Sequence, residues 1–263
     1  MEAARLVSIV FWKEWLELSN AKILRRFLIW FPIVLIIQTI VFVAPIGSIH
    51  LSEAARDQVL RIDPSLNDFS DGEIMQTVYA RRIALFILLV PMSIGIQIGA
   101  FAFSGEKMAR TLEPLLATPI SSVQLLFAKM LSGIFPALLI GFALQMLYAL
   151  LLRFLLEGWS VAGAVFTFPF YLLSLIGSPL LALIGMSAVV IASAKTDEPR
   201  LALQLANLVV LPVLSACVAF IFMKGIRLDF GIIASFLGVG LIFAIAGLWL
   251  SARLFQREKI LSR

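Results

Sequence analysis

Charge, histidine and cysteine are what this 263-residue chain has least of. Asp, Glu, Lys and Arg together make up 14% of it against 61% hydrophobic residues, a balance that excludes an ordinary soluble domain. The single cysteine, Cys217, excludes an internal disulfide framework and reads as a small core residue. The single histidine, His50, has no second His or Cys near it, so no metal-ligand cluster is expected. The chain contains no HExxH motif, no paired acids inside an apolar run and no Ser–His pairing of the sort nucleophilic chemistry needs. It also lacks GxxxxGK(S/T), so it is not built to bind and hydrolyse a nucleotide in the P-loop manner. Neither catalysis nor a cofactor is expected of this chain.

What is abundant is uninterrupted apolar sequence. Residues 27–49, 83–105, 130–152, 201–223 and 230–252 contain no Asp, Glu, Lys, Arg or His, and each exceeds the roughly 20 residues that cross a bilayer core as a helix. A sixth run, 158–194, is too long for one span and short for two. It is expected to hold one span from about Tyr171, preceded by a segment marked by Gly158, Gly163 and Pro169 at the interface. The expected fold is therefore an all-α integral membrane protein, a single polytopic domain over 1–263. Its six transmembrane helices fall at about 27–47, 83–104, 130–152, 171–194, 201–223 and 230–252.

Orientation follows from the basic residues in the connections. With the N-terminus inside, the inner segments hold Arg5, Lys13, Lys22, Arg25, Arg26, Lys107, Arg110, Lys129, Lys195, Arg200, Arg253, Arg257, Lys259 and Arg263. The outer segments hold half as many: Arg56, Arg61, Arg81, Arg82, Arg153, Lys224 and Arg227. Both termini are thus expected in the cytoplasm of a multi-pass cell-membrane protein. The net charge of +5 then reflects orientation in the lipid bilayer, with no nucleic-acid partner implied.

Taken in order, residues 3–20 form an expected interfacial amphipathic helix. Val7, Phe11, Trp15 and Leu18 make its apolar stripe, and Lys13, Glu14 and Glu17 lie on the far side. A signal peptide is the weaker reading, because Glu14 and Glu17 would fall in its n-region and no small-x-small cleavage site follows. The outer loop, 50–82, is the largest soluble piece. Ser52 is expected to cap one short helix there, Asp63-Pro64 to end it, and Ser70-Asp71-Gly72-Glu73 to open another as a capping box. Arg81-Arg82 would pair with the acids of this loop or with phosphates. Within the spans no Asp, Glu, Lys or Arg lies at membrane depth, which disfavours a carrier driven by protons or ions. Milder polar groups remain, and Gln97, Gln204 and Asn207 could line a path. Gly95-x-x-x-Gly99 permits a close helix contact.

The segment 105–121 is a charged, helix-prone interruption between two long apolar runs. Glu106, Lys107, Arg110 and Glu113 lie on one side of an expected helix, and Met108, Leu112, Leu115 and Leu116 recur on another. It stops at Thr118-Pro119, after which Ser121 or Ser122 can cap the next helix. A short amphipathic helix between two spans can act as a rigid lever. With no energy source in the chain itself, the lever implies a partner that supplies one.

The sequence Thr111-Leu112-Glu113-x-Leu115-Leu116-Ala117-Thr118-Pro119-Ile120-Ser121, preceded by Glu106 and followed by Lys129, resembles the coupling-helix region of type-2 ABC exporter permeases. Two departures are visible. Arg110 stands where that family usually has Gly, and Pro114 interrupts the leucine-rich half, where it kinks or shortens the helix. The resemblance implies a cytoplasmic coupling helix seated in a cleft of a separate P-loop ATPase subunit, which would bind the ATP. Its contact residues would be Glu106, Arg110, Thr111, Leu112, Glu113, Leu115, Leu116, Thr118 and Pro119. Also implied are contact between the N-terminal helix and the ATPase, and a second permease copy or similar permease completing the pathway. The function expected on this basis is a non-catalytic permease of an ATP-driven exporter. A polytopic scaffold or assembly protein without transport is the alternative. The substrate is not legible.

Overall fold

The computed structural model describes residues 8, 9, 11–13, 16, 22–108, 121–156, 160–224 and 229–254; side chains at 22–28, 31, 223 and 224 are outside that description. All regular structure among these residues is helical. Helix α1 (Lys22–Gln38) runs on through a π turn (Thr39–Val43) and a 3-10 turn (Ala44–Ser48). Helix α2 (Glu53–Ile62) follows, then α3 (Asp71–Ile87), α4 (Val90–Ala100), α5 (Ser122–Leu155), α6 (Ser160–Val165), α7 (Phe168–Ser193), α8 (Pro199–Lys224) and α9 (Phe230–Leu254).

Five helical stretches are long and apolar enough to cross a membrane, where six spans were expected. These are Asp71–Met108, Ser122–Leu155, Phe168–Ser193, Pro199–Phe222 and Phe230–Leu254. The first expected span is helical, but its described apolar part, Pro32–Ser48, is shorter than the others. The second span begins at Asp71 rather than Ile83, because the Ser70 capping box opens a helix that continues directly into the apolar run. Both halves of that box form: Ser70 Oγ receives the Glu73 N–H, and the Glu73 carboxylate receives the Ser70 N–H at 3.0 Å.

Helix α7 is the central element, packed against α4, α5, α8 and α9. Its approach to α4 requires glycine. A Cβ on Gly185 would lie 2.7 Å from the backbone oxygen of Met92, closer than any side chain tolerates. The expected Gly95/Gly99 contact is of the same kind: both face Met186 of α7, within this chain. Pro91, which has no N–H, marks the break between α3 and α4, where Leu88 and Leu89 bond three residues back instead of four. Helix α5 packs into that break at Gly141, whose Cβ position is 2.5 Å from the Pro91 ring.

The end of the bundle formed by the 49–70 connection is braced by polar groups. Arg81 is buried and donates to Asp63 at 2.9 Å and to the carbonyl of Ala164 at 2.8 Å. Ser160 donates to Glu73 at 2.8 Å, so α6 is held to α3 at two points. Ser52 caps α2 as expected, and Asp63 turns the chain into Pro64.

Candidate functional site

At the opposite end, α4 does not stop cleanly. A π turn over Phe101–Gly105 leads into the short helix Glu106–Met108, the root of the charged segment. The wider i→i+5 turn is a frequent feature of functional sites. Here the chain leaves it with Ser104 and Glu106 buried.

Glu106 is the hub. Its carboxylate lies 2.5 Å from Lys129 Nζ and 3.3 Å from Lys13 Nζ. Lys129 is wholly buried on the first turns of α5, where its ammonium also donates to the carbonyl of Ala102 at 3.0 Å. It lies 5.7 Å from the centre of the Phe103 ring, a favourable placement for a cation. Lys13 belongs to the N-terminal segment and is far more open, its side chain 43% exposed. Nearby, Phe11 meets Phe135 of α5 edge-on at 6.0 Å. The N-terminal segment is thus fastened to the bundle by both the charged residue and the aromatic that the sequence placed on opposite faces.

A second set of bonds ties the same root to the end of α7. Lys107 donates to the carbonyl of Ser193 at 2.5 Å, a last-turn carbonyl that the helix itself leaves unmatched. Its ammonium is also 3.7 Å from the exposed carboxylate of Asp197. Ser104 donates to the carbonyl of Thr196 at 3.4 Å. Four parts of the chain therefore converge on residues 104–107: the N-terminal segment, α4, the start of α5 and the α7–α8 connection.

This arrangement has a mechanical consequence. A buried ion pair with excellent geometry resists the separation of its partners, since parting them leaves a charge in a low-dielectric interior. Displacing the root would thus drag α5 through Lys129 and α7 through Lys107. No group of His, Cys, Asp and Glu side chains that could hold a metal ion occurs among the described residues.

Of the ATPase-contact residues expected from the sequence, only Glu106 falls in this cluster. Its carboxylate engages two basic groups of this chain, Lys129 and Lys13. Arg110, Thr111, Leu112, Glu113, Leu115, Leu116, Thr118 and Pro119 lie outside the described residues. The helix after them is capped by Ser121, through a box completed by Gln124. The apolar helices on either side of this segment, Asp71–Met108 and Ser122–Leu155, are both long enough to cross a membrane.

The family described as ABC-2 family transporter protein matches residues 9–229. This chain belongs to that family. No curated protein matches it. As an ABC-2 permease it is a membrane component of an ABC transporter, and the apolar helices fit that role. The three residues expected from the sequence to line a path take different positions. Gln97 is half-buried on α4, whereas Gln204 and Asn207 are exposed on α8 among exposed Leu201, Leu208 and Leu211.

Lys129 and Lys13 were both visible in the sequence, but neither was paired with Glu106. Lys129 counted there as one of the inner basic residues that follow the charged segment. Its burial depends on Glu106, and nothing in the spacing of the two signals that they meet.

Proposed function

We propose that this ABC-2 permease is half of an ATP-driven exporter, with the segment 105–121 as the coupling helix that a separate P-loop ATPase moves. The observation that carries the proposal is the convergence on residues 104–107, which fixes the root of that segment to α5, α7 and the N-terminal segment at once. ATP binding and hydrolysis occur on the partner. A push on the helix rotates the spans as bodies, which is a rearrangement and needs no chemistry in this chain.

Six spans with both termini in the cytoplasm complete the reading. Helix α1 serves as the first, and the inward excess of Lys and Arg supports the orientation. A second copy, or a similar permease, covers the exposed face of α8. The amides of Gln204 and Asn207 support this, because polar groups facing lipid gain from partners across a helix interface.

The test is co-purification. Glu113→Lys with Leu116→Asp should weaken ATPase association by about 1–3 kcal/mol, which is about 5- to 150-fold in affinity. The membrane level of the permease should be unchanged, since neither residue lies in a span.

A further inference from the structure

At the end of the bundle away from Glu106, a cavity of about 710 Å³ opens between α5, α6 and α7. That volume is within the range of small-molecule sites, roughly 300–1,000 Å³. Phe142, Met146, Phe166 and Leu175 make its walls apolar, and no ionised side chain lines it. Its roof is fixed in place, because α6 is held by Arg81 at Ala164 and by Glu73 at Ser160.

One feature of the lining points to a ligand. Gln145 is only 7% exposed, and its Oε1 accepts from Ser174 at 2.5 Å. Its Nε2 has no hydrogen-bond partner among the described residues. Turning the amide over would exchange the two ends and still leave one unmatched, since Ser174 serves only one of them. A buried amide in apolar surroundings is costly to leave in that state, and a ligand oxygen would remedy it.

Depth narrows the chemistry. Ser174 lies about 9 Å below the start of α7 at Phe168, by the rise of an α-helix. Tyr171, half a turn to a full turn above it, is exposed at the rim, where its ring suits the headgroup level. The polar zone outside a bilayer core is about 5–7 Å thick on each side. Gln145 and Ser174 therefore sit near the hydrocarbon boundary, where the ester carbonyls of a glycerolipid lie. A phosphate or sugar would find no charge and few donors here. An acyl chain would find apolar walls and one donor at its carbonyl.

We propose that this cavity binds an ester-linked lipid, its chain along α5 and α7 and its carbonyl accepting a hydrogen bond from Gln145. The proposal goes beyond the coupling reading and does not depend on it. Loss of ATPase binding would leave it intact.

The experiment uses the full chain in nanodiscs with a trace of phosphatidylcholine carrying a photoactivatable diazirine on one acyl chain near its ester. Adducts located by mass spectrometry should concentrate in 142–150 and 162–175. Discs of unlabelled diester phosphatidylcholine should suppress these adducts about three- to tenfold more than discs of the ether-linked lipid of the same chain length, which lacks the carbonyl. Gln145→Leu should erase that preference. Gly163→Trp should block the site: a Cβ at Gly163 meets nothing within 4 Å, so the ring enters open space and the bundle stays folded. Adducts spread evenly over the exposed faces of α5, α8 and α9 would overturn the proposal. Equal suppression by ester and ether lipids in the unmodified protein would do so too. A cross-link to a second copy at 142–150 would show that protein, rather than lipid, fills the cavity.

Discussion

Replacing Glu106 by Gln removes one charge and almost no volume, so its effect isolates the electrostatic role of the cluster. Lys129 is fully buried and 2.5 Å from the carboxylate. Removing one partner of such a pair typically costs about 3–5 kcal/mol, because the other charge stays buried without compensation. The Ala102 carbonyl and the Phe103 ring still stabilise the ammonium, so the lower end, about 3 kcal/mol, is expected. Lys13 is the internal control. Its side chain is 43% exposed, so Lys13→Gln should cost less than about 1 kcal/mol. Thermal unfolding in detergent, followed by the fluorescence of the five tryptophans, reads the difference. At roughly 2–4 °C per kcal/mol, Glu106→Gln should lower the midpoint by on the order of 10 °C, and Lys13→Gln by no more than about 4 °C. Glu106→Gln combined with Lys129→Met should recover most of the loss, since no buried charge then remains. A double variant no more stable than Glu106→Gln alone would refute the buried-pair argument.

Other outcomes follow from the same structure. Asp63→Ala leaves Arg81 buried with only the Ala164 carbonyl, and should lower the unfolding midpoint while increasing proteolysis within 50–70. In a Cys217→Ala background, cysteines at 57 and 68 should react with an impermeant thiol reagent in intact cells, whereas cysteines at 107 and 197 should not. Labelling at 107 from outside would reverse the orientation. If the exposed face of α8 meets a second copy, Asn207→Cys in that background should form a disulfide-linked dimer on oxidation. A chain that stays monomeric while bound to an active ATPase would exclude that pairing.

How much of this was legible in sequence depended on the range of the interaction. Capping is local, so Ser52, Ser70 and Ser121 marked helix starts that the structure forms. Apolar runs reported five of the helices long enough to cross a membrane, because hydrophobic length is the requirement itself. The start of the second span was misplaced at Ile83, because helicity passes through polar residues once a capping box has opened it. Arg81 was expected to find an acid of the preceding loop, and it finds Asp63. Partners far apart in the chain were not legible. Glu106 meets Lys129 and Lys13, and Lys107 meets the end of α7, only because the helices pack. The same holds for the cavity, where Gln145 was visible as one of several polar residues in spans. Its unmatched amide depends on which neighbours α6 and α7 bring to it.

The central claim is that the segment rooted at Glu106 transmits force from an ATPase. Affinity purification of the tagged permease in mild detergent, followed by ATPase assay of the eluate, tests it most directly. A P-loop ATPase should co-purify with the unmodified chain, and Glu113→Lys with Leu116→Asp should lose both the partner and the hydrolysis at an unchanged membrane level. Equal ATPase recovery and equal hydrolysis with that double variant would contradict it.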